Sequence, residues 1–483
     1  MKNFIRISTA LGLSLTLTAC VGGSDVPTKG RMIDQVHPHA SYPQVPTTQA
    51  QLSPANNNIS GVLRAPDITA YPQGIVDRLL ASWTGPRPEA RVWLVPENAF
   101  TSDVSVGGAI FLNTGLIQYF HNNQDIQKED ALAFVLAHEL SHILLGHTAA
   151  QRSNKATKNY AFSAMKWGTV IGRAAAGAGA AGSAGTALLS SMGAKIFTDT
   201  AIFPSWSRGQ EEQADALAID LMARAGYSIS AASDVMDVLV SEDEQDEQKA
   251  ATQEKTGGKS FTQDNFTLKA NADDAIGSAL VDGLNTVAQQ HPHSKERRNA
   301  LAAYLRQAYP VRTHVTLVRA PLQAWVNSRP VITLLSQIDL LDKASDAVTS
   351  KQWSNAKQFL SRIGRPVNNS EYYAFLAYET AAATGQKQLA VSILSTAAQR
   401  DDVTFQIATE WGMQLSAAGR TENAEKYMAT EQEAMGNTGF LPYRISNALK
   451  GKDSITAAKL MAQCAASGED ALENQCAVAG KNQ

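Results

Sequence analysis

The sequence predicts an α+β domain followed by an all-α array of helix pairs. Two short strand-like runs, at 91–95 and 109–113, lie between helical patterns and indicate a small sheet beside helices. After Tyr309 the pattern is helical throughout and repeats every 34 residues. Because 44% of the 483 residues are hydrophobic and 18% are charged, the composition is that of a globular protein with enough apolar material for a core.

The charge balance bears on the class of partner. The chain carries 42 basic and 45 acidic side chains, for a formal net charge of -3. Binding to a phosphate backbone depends on a surplus of Lys and Arg on one face, and no basic cluster is present in the sequence. We therefore expect no nucleic-acid partner.

Residues 1–20 are predicted to be a lipoprotein signal peptide. Lys2 and Arg6 precede an apolar run over 7–17 that is too short to span a bilayer. The run ends in Leu-Thr-Ala-Cys20, which resembles the bacterial lipobox and implies lipidation of Cys20. Because Val21 is not an aspartate, resemblance to the sorting pattern of enteric bacteria favours the outer membrane, facing the periplasm. A cleaved signal with an incidental cysteine is the alternative.

The rest of the chain divides by composition. Residues 21–60 are rich in Pro, Gln, Asn, Ser and Thr and are predicted to be a flexible tether. The boundaries expected after it are 61–310 for the α+β domain and 311–483 for the helical array. Within the first domain, the Ala/Gly-rich segment 174–194 is interpreted as close-packed helices or a flap rather than a membrane span.

The 34-residue period is that of tetratricopeptide helix pairs, and it predicts a solenoid of that type over 330–470. Gly385 and Gly419 mark equivalent turns, whereas Lys351 and Asp453 stand at the corresponding positions of the other repeats. A non-repeating bundle is the alternative. The repeated small and large apolar positions are Ala356, Ala390, Ala424 and Ala458, with Phe359, Ile393, Tyr427 and Met461 three places later.

Two cysteines, Cys464 and Cys476, remain for the folded chain. They are twelve residues apart, so in an oxidising compartment they are predicted to close a local disulfide loop. Two free buried thiols are the alternative.

A metal-binding motif, His138-Glu139-Leu-Ser-His142, lies in a strongly apolar predicted helix at 129–147. Histidines four apart differ by about 40° around a helix axis, so both imidazoles converge on one ion, with Glu139 on an adjacent part of the face. Burying these polar groups is costly unless a metal satisfies them. We predict one Zn²⁺ per chain, with Glu139 as the base that takes a proton from water. A helix with paired surface histidines is the alternative.

The third ligand is predicted from the segment 207–215, SRGQEEQAD. Glu211 and Asp215 are one helical turn apart, so Glu211 can bind zinc while Asp215 accepts the other N–H of His138. Glu212 is the alternative ligand, but it points about 100° away from Glu211. His147 falls on the opposite side of the predicted helix from the motif and is expected to make a structural hydrogen bond.

These motifs, together with Asn98-Ala-Phe100, Gly107-Gly108 and the segment 291–297, resemble the M48 family of zinc metallopeptidases over about 65–305. The resemblance implies a gluzincin fold, zinc ligands at His138, His142 and Glu211, and a general base at Glu139. With the lipobox and the repeats, the chain is most similar to periplasmic M48 proteases associated with outer-membrane protein assembly and quality control. One usual acidic position of the family pattern is Gln213 here, away from the metal.

Three further positions receive functional hypotheses. His291 is predicted either to stabilise an oxyanion or to occupy the open zinc position and hold the enzyme latent, and Arg297 to anchor that loop or stabilise charge near the cleft. Gly107 and Gly108 are predicted to lie at a sheet edge to which an extended substrate adds as a strand. The alternative for 291–297 is a turn with solvated charges. The alternative for the two glycines is a simple hairpin turn.

The function predicted from the sequence is a zinc metalloendopeptidase for unfolded or misassembled envelope proteins. Its repeats are expected to recruit proteins, among them the outer-membrane assembly machinery, and its lipid to hold it at the membrane. The alternative is a chaperone or assembly factor with a latent metal site. A hydrolase of peptidoglycan peptides is disfavoured, because no wall-binding module is evident.

Overall fold

The computed structural model describes residues 26–39, 42, 48–57, 60–105, 107–150, 206–254, 258–263, 266–271, 294–311, 317–467 and 470–481. Four features predicted from the sequence lie outside these residues. They are the signal peptide, the lipidation site Cys20, the Ala/Gly-rich segment 174–194 and His291.

The segment before residue 60 differs from the predicted flexible tether. Met32 and Ile33 are buried, and their backbone N–H groups donate to the Tyr304 hydroxyl and to Asp220 at 2.6 and 2.9 Å. This part of the chain packs against the first domain because the side chains of Met32 and Ile33 join its core and their N–H groups find acceptors there. Two short helices follow, α1 (Thr48–Gln51) and α2 (Ser53–Asn56).

The α+β domain begins with Leu63, which bridges to Leu94 of the first strand. Its helices and strands come in this order along the chain: α3 (Pro66–Ala81), β1 (Arg91–Val95), β2 (Ser102–Val104), β3 (Ala109–Asn113), α4 (Thr114–Asn122), α5 (Glu129–Leu144), α6 (His147–Ala150), α7 (Arg208–Ala225), α8 (Ala231–Glu254), β4 (Gly258–Gln263), β5 (Phe266–Asn271) and α9 (Ser294–Ala308).

The described sheet at the site has the strand order β1-β3-β2, with β1 parallel and β2 antiparallel to β3. A separate antiparallel pair is formed by β4 and β5. This small sheet beside many helices confirms the predicted α+β class of the first domain.

Gly108 lies in the hairpin turn between β2 and β3, and the structure differs here from the predicted substrate edge. Its N–H donates to Ser105 O at 3.1 Å, and its carbonyl accepts from Arg91 N at 2.9 Å. Its φ is +80°, and a Cβ at this position would lie only 1.8 Å from the Glu89 carbonyl oxygen, so only glycine fits. The Gly107 carbonyl accepts from the Gln51 amide at 2.9 Å. These glycines therefore shape the turn, and their bonded groups are not available to an added strand.

Helices α5 and α7 pack against each other at the centre of the domain. Helix α5 begins with Glu129 and Asp130, which suit the positive end of a helix dipole, and it is buried on nearly every side from Asp130 onwards. Helix α7 begins with a capping box, because Ser207 and Gln210 each accept the other's backbone N–H. It ends at Gly226 in the left-handed conformation.

The second domain is helical throughout. Its antiparallel helices pack in successive pairs, α11 with α12, α13 with α14, α15 with α16 and α17 with α18, which confirms a helical repeat region. The helices are α10 (Ala320–Val326), α11 (Arg329–Thr349), α12 (Trp353–Leu360), α13 (Glu371–Ala383), α14 (Lys387–Ala397), α15 (Phe405–Ala417), α16 (Thr421–Met435), α17 (Leu441–Lys450), α18 (Ser454–Ala465) and α19 (Asp470–Lys481).

The 34-residue period slips by one residue in the last pair. Gly385 and Gly419 have left-handed backbones, and Lys351 adopts the same conformation one period earlier. In the last pair it is Lys452, rather than Asp453, that has a positive φ. Correspondingly, Ala457 is buried in α18 while Ala458 is exposed. The chain between Gly419 and Lys452 is thus one residue shorter than the period predicts, whereas the loop before α18 has the same length as its equivalents.

The two domains share one continuous core. In α10, the buried Trp325 donates its indole N–H to Ile68 O at 3.0 Å. The guanidinium of Arg64 pairs with Asp402 at 2.7 Å and also with Asp401. The boundary at 310 therefore separates two sequence patterns rather than two independent bodies. Within the described ranges, no helix has both the length and the apolar character needed to cross a bilayer.

The structure joins Cys464 of α18 to Cys476 of α19 by a disulfide. Replacing both cysteines by alanine is expected to destabilise the C-terminal helices by about 3 kcal/mol, because the unfolded chain loses a twelve-residue cross-link. Urea unfolding followed by circular dichroism measures the change. The parent treated with a reducing agent is the control and is expected to match the variant; an unchanged midpoint in both would contradict the prediction.

Candidate metal centre

Three buried side chains from two helices meet at the α5–α7 contact. In α5, His138 and His142 bring their Nε2 atoms to 3.1 Å. In α7, the carboxylate of Glu211 places Oε2 3.5 Å from Nε2 of His138 and Oε1 3.5 Å from Nε2 of His142. All three residues are at most 5% exposed. The structure thus brings together the three residues that the sequence predicts as metal ligands.

The spacing of the three donor atoms fits a zinc ion. Zn–N and Zn–O bonds of about 2.0–2.1 Å in a tetrahedral arrangement place neighbouring donors about 3.3 Å apart. The two imidazole nitrogens are 3.1 Å apart, and each lies 3.5 Å from an oxygen of the Glu211 carboxylate, Oε2 for His138 and Oε1 for His142. Two imidazole nitrogens and one carboxylate are also the donor set of the His₂Glu catalytic zinc sites.

The charge of the surrounding cluster fits a divalent cation as well. Glu139, Glu211 and Asp215 contribute three formal negative charges, and the buried Arg297 contributes one positive charge. The sum is a formal charge of -2 in a nearly dry environment. Because an uncompensated buried charge is strongly destabilising, a divalent cation at the three donors would restore neutrality.

Asp215 connects His138 to Arg297. Its Oδ1 lies 2.8 Å from Nδ1 of His138, and Arg297 donates to both of its carboxylate oxygens at 2.9 and 2.8 Å. Burial raises the pKa of Asp215, but Arg297 and His138 outweigh burial and hold that pKa below its ordinary value. The ionised carboxylate is therefore the acceptor for the Nδ1–H of His138, which leaves Nε2 directed at the metal position.

Arg297 occupies a different place from the cleft position predicted for a catalytic residue. It is 2% exposed, and its third nitrogen pairs with Glu211 at 2.8 Å. The side chain therefore compensates Glu211 and Asp215 from inside the domain. Its contacts make it a positioning residue rather than a group that touches substrate.

The imidazole of His142 has different neighbours from the imidazole of His138. Its Nδ1 lies 3.0 Å from Nδ1 of His147, whose Nε2 is 3.1 Å from the amide oxygen of Gln213. Burial lowers the pKa of His147 to about 4, and the bond to Gln213 only partly opposes this effect. The indole of Trp206 stacks on the His142 ring at 4.1 Å.

Glu139 lies beside the donor cluster on α5. It is 1% exposed, and its Oε1 accepts a hydrogen bond of 2.7 Å from the Ser102 hydroxyl of β2. The sheet therefore orients the carboxylate that the motif provides.

The alternative ligand Glu212 points out of the cluster. Its carboxylate pairs with the exposed Arg208 at 3.5 Å, one turn earlier on the same helix. This outcome follows from the 100° step between consecutive helical residues, because only one of Glu211 and Glu212 can face α5.

Sequence reasoning missed Ser102, Trp206 and the pairing of His147 with His142. The signal for His147 was Gly146, which has a φ of +71° and ends the helix before His147. The chain turns back there, so His147 is not on the far side of a continuous helix as predicted. For Ser102 and Trp206 no local pattern distinguishes them from other polar or aromatic residues.

Comparison with known proteins adds independent support. Residues 67–305 match the model of Peptidase family M48. A "Beta-barrel assembly-enhancing protease" of Yersinia pestis is 28% identical over 167 residues, which is 34% of this chain and 30% of the relative. A "Putative beta-barrel assembly-enhancing protease" of Vibrio cholerae serotype O1 is 24% identical over 174 residues, 36% of this chain and 33% of the relative.

The alignments cover about a third of the length of each of these relatives. The family match, by contrast, spans the region from α3 to α9 and so includes every element that contributes to the donor cluster. Over residues 67–305 the chain is therefore similar to the metallopeptidases of family M48.

Proposed function

We propose that this protein is a zinc-dependent endopeptidase that cleaves unfolded or misassembled proteins of the bacterial envelope. The observation that carries the proposal is the meeting of His138, His142 and Glu211 beside the buried carboxylate of Glu139. The two Nε2 atoms are 3.1 Å apart, and each lies 3.5 Å from an oxygen of Glu211. This is the combination of a metal site and a base that peptide hydrolysis requires.

The groups at the site have separate roles in the proposed reaction. A zinc ion held by His138, His142 and Glu211 would act as a Lewis acid and would lower the pKa of a bound water toward about 7. Glu139 accepts a proton from the attacking water and later delivers it to the leaving amine. The hydroxyl of Ser102, donating to Oε1 of Glu139, holds the carboxylate in one orientation for both transfers.

The substrate class and the location rest on other observations. The names of the two relatives associate them with the assembly of β-barrel proteins. The lipobox-like sequence before Cys20 directs the chain to the periplasm, and Val21 favours the outer membrane. The helical pairs of the second domain offer a surface for protein partners, including the assembly machinery of the outer membrane.

Glu139→Gln is expected to lower cleavage of unfolded casein by about 10²–10⁴-fold, because the amide cannot accept the proton of water. Zinc content is expected to stay near one ion per chain, since Glu139 is not a ligand. Both are measured on protein purified without its lipid. Equal cleavage by parent and variant would remove Glu139 from the mechanism, and binding of casein without any cleavage by the parent would favour a chaperone.

Glu211→Gln is expected to release most of the zinc, because a neutral amide is a weaker ligand and leaves Arg297 without one of its two anionic partners. The neighbouring Glu212→Gln is the matched control, with the same chemical change at a carboxylate that pairs with Arg208 instead of the donor cluster. It is expected to keep the metal and the activity. Zinc retained by the first variant or lost by the second would show that the third ligand is misassigned.

Cys20→Ser is expected to move the protein from the membrane fraction to the soluble periplasmic fraction. The serine hydroxyl does not replace the thiol that receives the lipid, so the chain loses its anchor. Fractionation of cells followed by immunoblotting measures the distribution, and metabolic labelling with a fatty acid tests the lipid directly. A labelled or membrane-bound serine variant would contradict lipidation at this position.

A further inference from the structure

The two histidines of the metal centre have partners of different chemistry. Nδ1 of His138 faces the carboxylate of Asp215 at 2.8 Å. Nδ1 of His142 faces another imidazole, that of His147, at 3.0 Å, and the far side of that imidazole faces Gln213 at 3.1 Å. The second arrangement is a chain of two imidazoles and an amide that ends on α7, two residues from Glu211.

The direction of the hydrogen bonds in this chain follows from its last member. The amide oxygen of Gln213 accepts a hydrogen bond, so Nε2 of His147 carries the hydrogen. With its hydrogen on Nε2, a neutral His147 has a lone pair on Nδ1, and this atom is a hydrogen-bond acceptor. The donor in its contact with His142 is therefore the Nδ1–H of His142. His142 protonated at Nδ1 then has its lone pair at Nε2, the atom that lies among the metal donors.

The local fold is built to bring His147 to this place. Helix α5 ends at Leu144, and Gly146 takes a left-handed backbone that turns the chain back toward His142. Its φ of +71° strains residues that have a Cβ, so this turn favours glycine. His147 is 6% exposed, and Trp206 covers His142 from its ring face. The contact is therefore held by packing on several sides.

We propose that His147 and Gln213 are positioning residues that fix His142 in the Nε2-binding tautomer and thereby set the affinity of the site for zinc. The inference rests on the proposed function for the identity of the metal site, but it concerns affinity and not hydrolysis. Partners of metal-bound histidines typically contribute 10–100-fold to metal affinity. The contact through His147 to Gln213 would perform for His142 the task that Asp215 performs for His138.

The test measures zinc affinity by competition with a chelator on the full chain purified without its lipid. His147→Leu removes the acceptor and is expected to weaken zinc binding by about 10–100-fold. His147→Asn is the conservative variant, because its amide oxygen stands close to where Nδ1 stood, and it is expected to restore most of the affinity. Gln213→Glu keeps an accepting oxygen and is expected to bind zinc as the parent does, whereas Gln213→Leu is expected to bind it more weakly.

Thr148→Val is the matched control, since it replaces a buried polar side chain next to His147 with an isosteric apolar one. It is expected to leave zinc affinity unchanged. Thermal unfolding of each metal-free variant shows whether the fold is retained; if His147→Leu does not fold, His147→Asn and the two Gln213 variants decide the question.

Three results would overturn the inference. They are parental affinity in His147→Leu, an equal loss in His147→Asn and His147→Leu, and an equal loss in Gln213→Glu and Gln213→Leu. The last two would show that packing, or the opposite direction of hydrogen bonding, governs the site. None of these measurements uses peptide cleavage. If the parent does not cleave casein but the parent and its variants differ in zinc affinity as expected, only the proposed function is refuted. A parent that takes up no zinc would refute both.

Discussion

The ion pairs of Arg297 with two carboxylates of α7 are the constraint on which the rest of the site depends. One guanidinium donates to both oxygens of Asp215 and pairs with Glu211, and all three side chains are nearly inaccessible to water. Two carboxylates four residues apart in a dry helix contact would otherwise repel each other and resist burial. Arg297 makes their burial tolerable and still leaves the cluster with enough negative charge to favour a divalent cation.

The position of Arg297 depends in turn on contacts far from the metal. Helix α9, which carries it, is held at its other end by Tyr304, whose hydroxyl donates to the buried Asp220 of α7 and accepts from the N–H of Met32. The packed N-terminal segment therefore supports the helix that balances the metal centre. On the other side of the domain, Asn98 of the loop before β2 donates to Asp342 of α11 at 2.7 Å, so the repeats contact the loop that leads to Ser102.

Much of the site was predictable because its parts are local. The i, i+4 spacing of His138 and His142 places both imidazoles on one face of any helix, and the same spacing relates Glu211 to Asp215. The residues that the sequence did not assign correctly are those whose role depends on distant neighbours. Arg297 lies 82 positions from Asp215, and Ser102 lies 37 positions from Glu139, so no pattern within one element relates them.

The fold shows the same division. The strands, the apolar helix and the repeat region follow periodic patterns in the sequence and are present in the structure. The segment 21–60 was predicted to be a tether because of its polar composition. Part of it nevertheless packs against the domain, because Met32 and Ile33 join the core and their backbone N–H groups donate to acceptors on α9 and α7. The glycines at 107 and 108 were assigned to a substrate edge, since sequence alone does not distinguish a glycine needed for close backbone approach from one beside a cleft.

The sequence by itself determined the donor types, the order of the ligands and the helical spacing that lets His138 and His142 face one ion, because these depend on the geometry of a single helix. Only the tertiary structure decided that His147 returns to His142 after Gly146 and that Arg297 is buried between carboxylates. The physical reason is that the free energy of a buried charge or hydrogen bond depends on every group around it, and those groups come from remote parts of the chain.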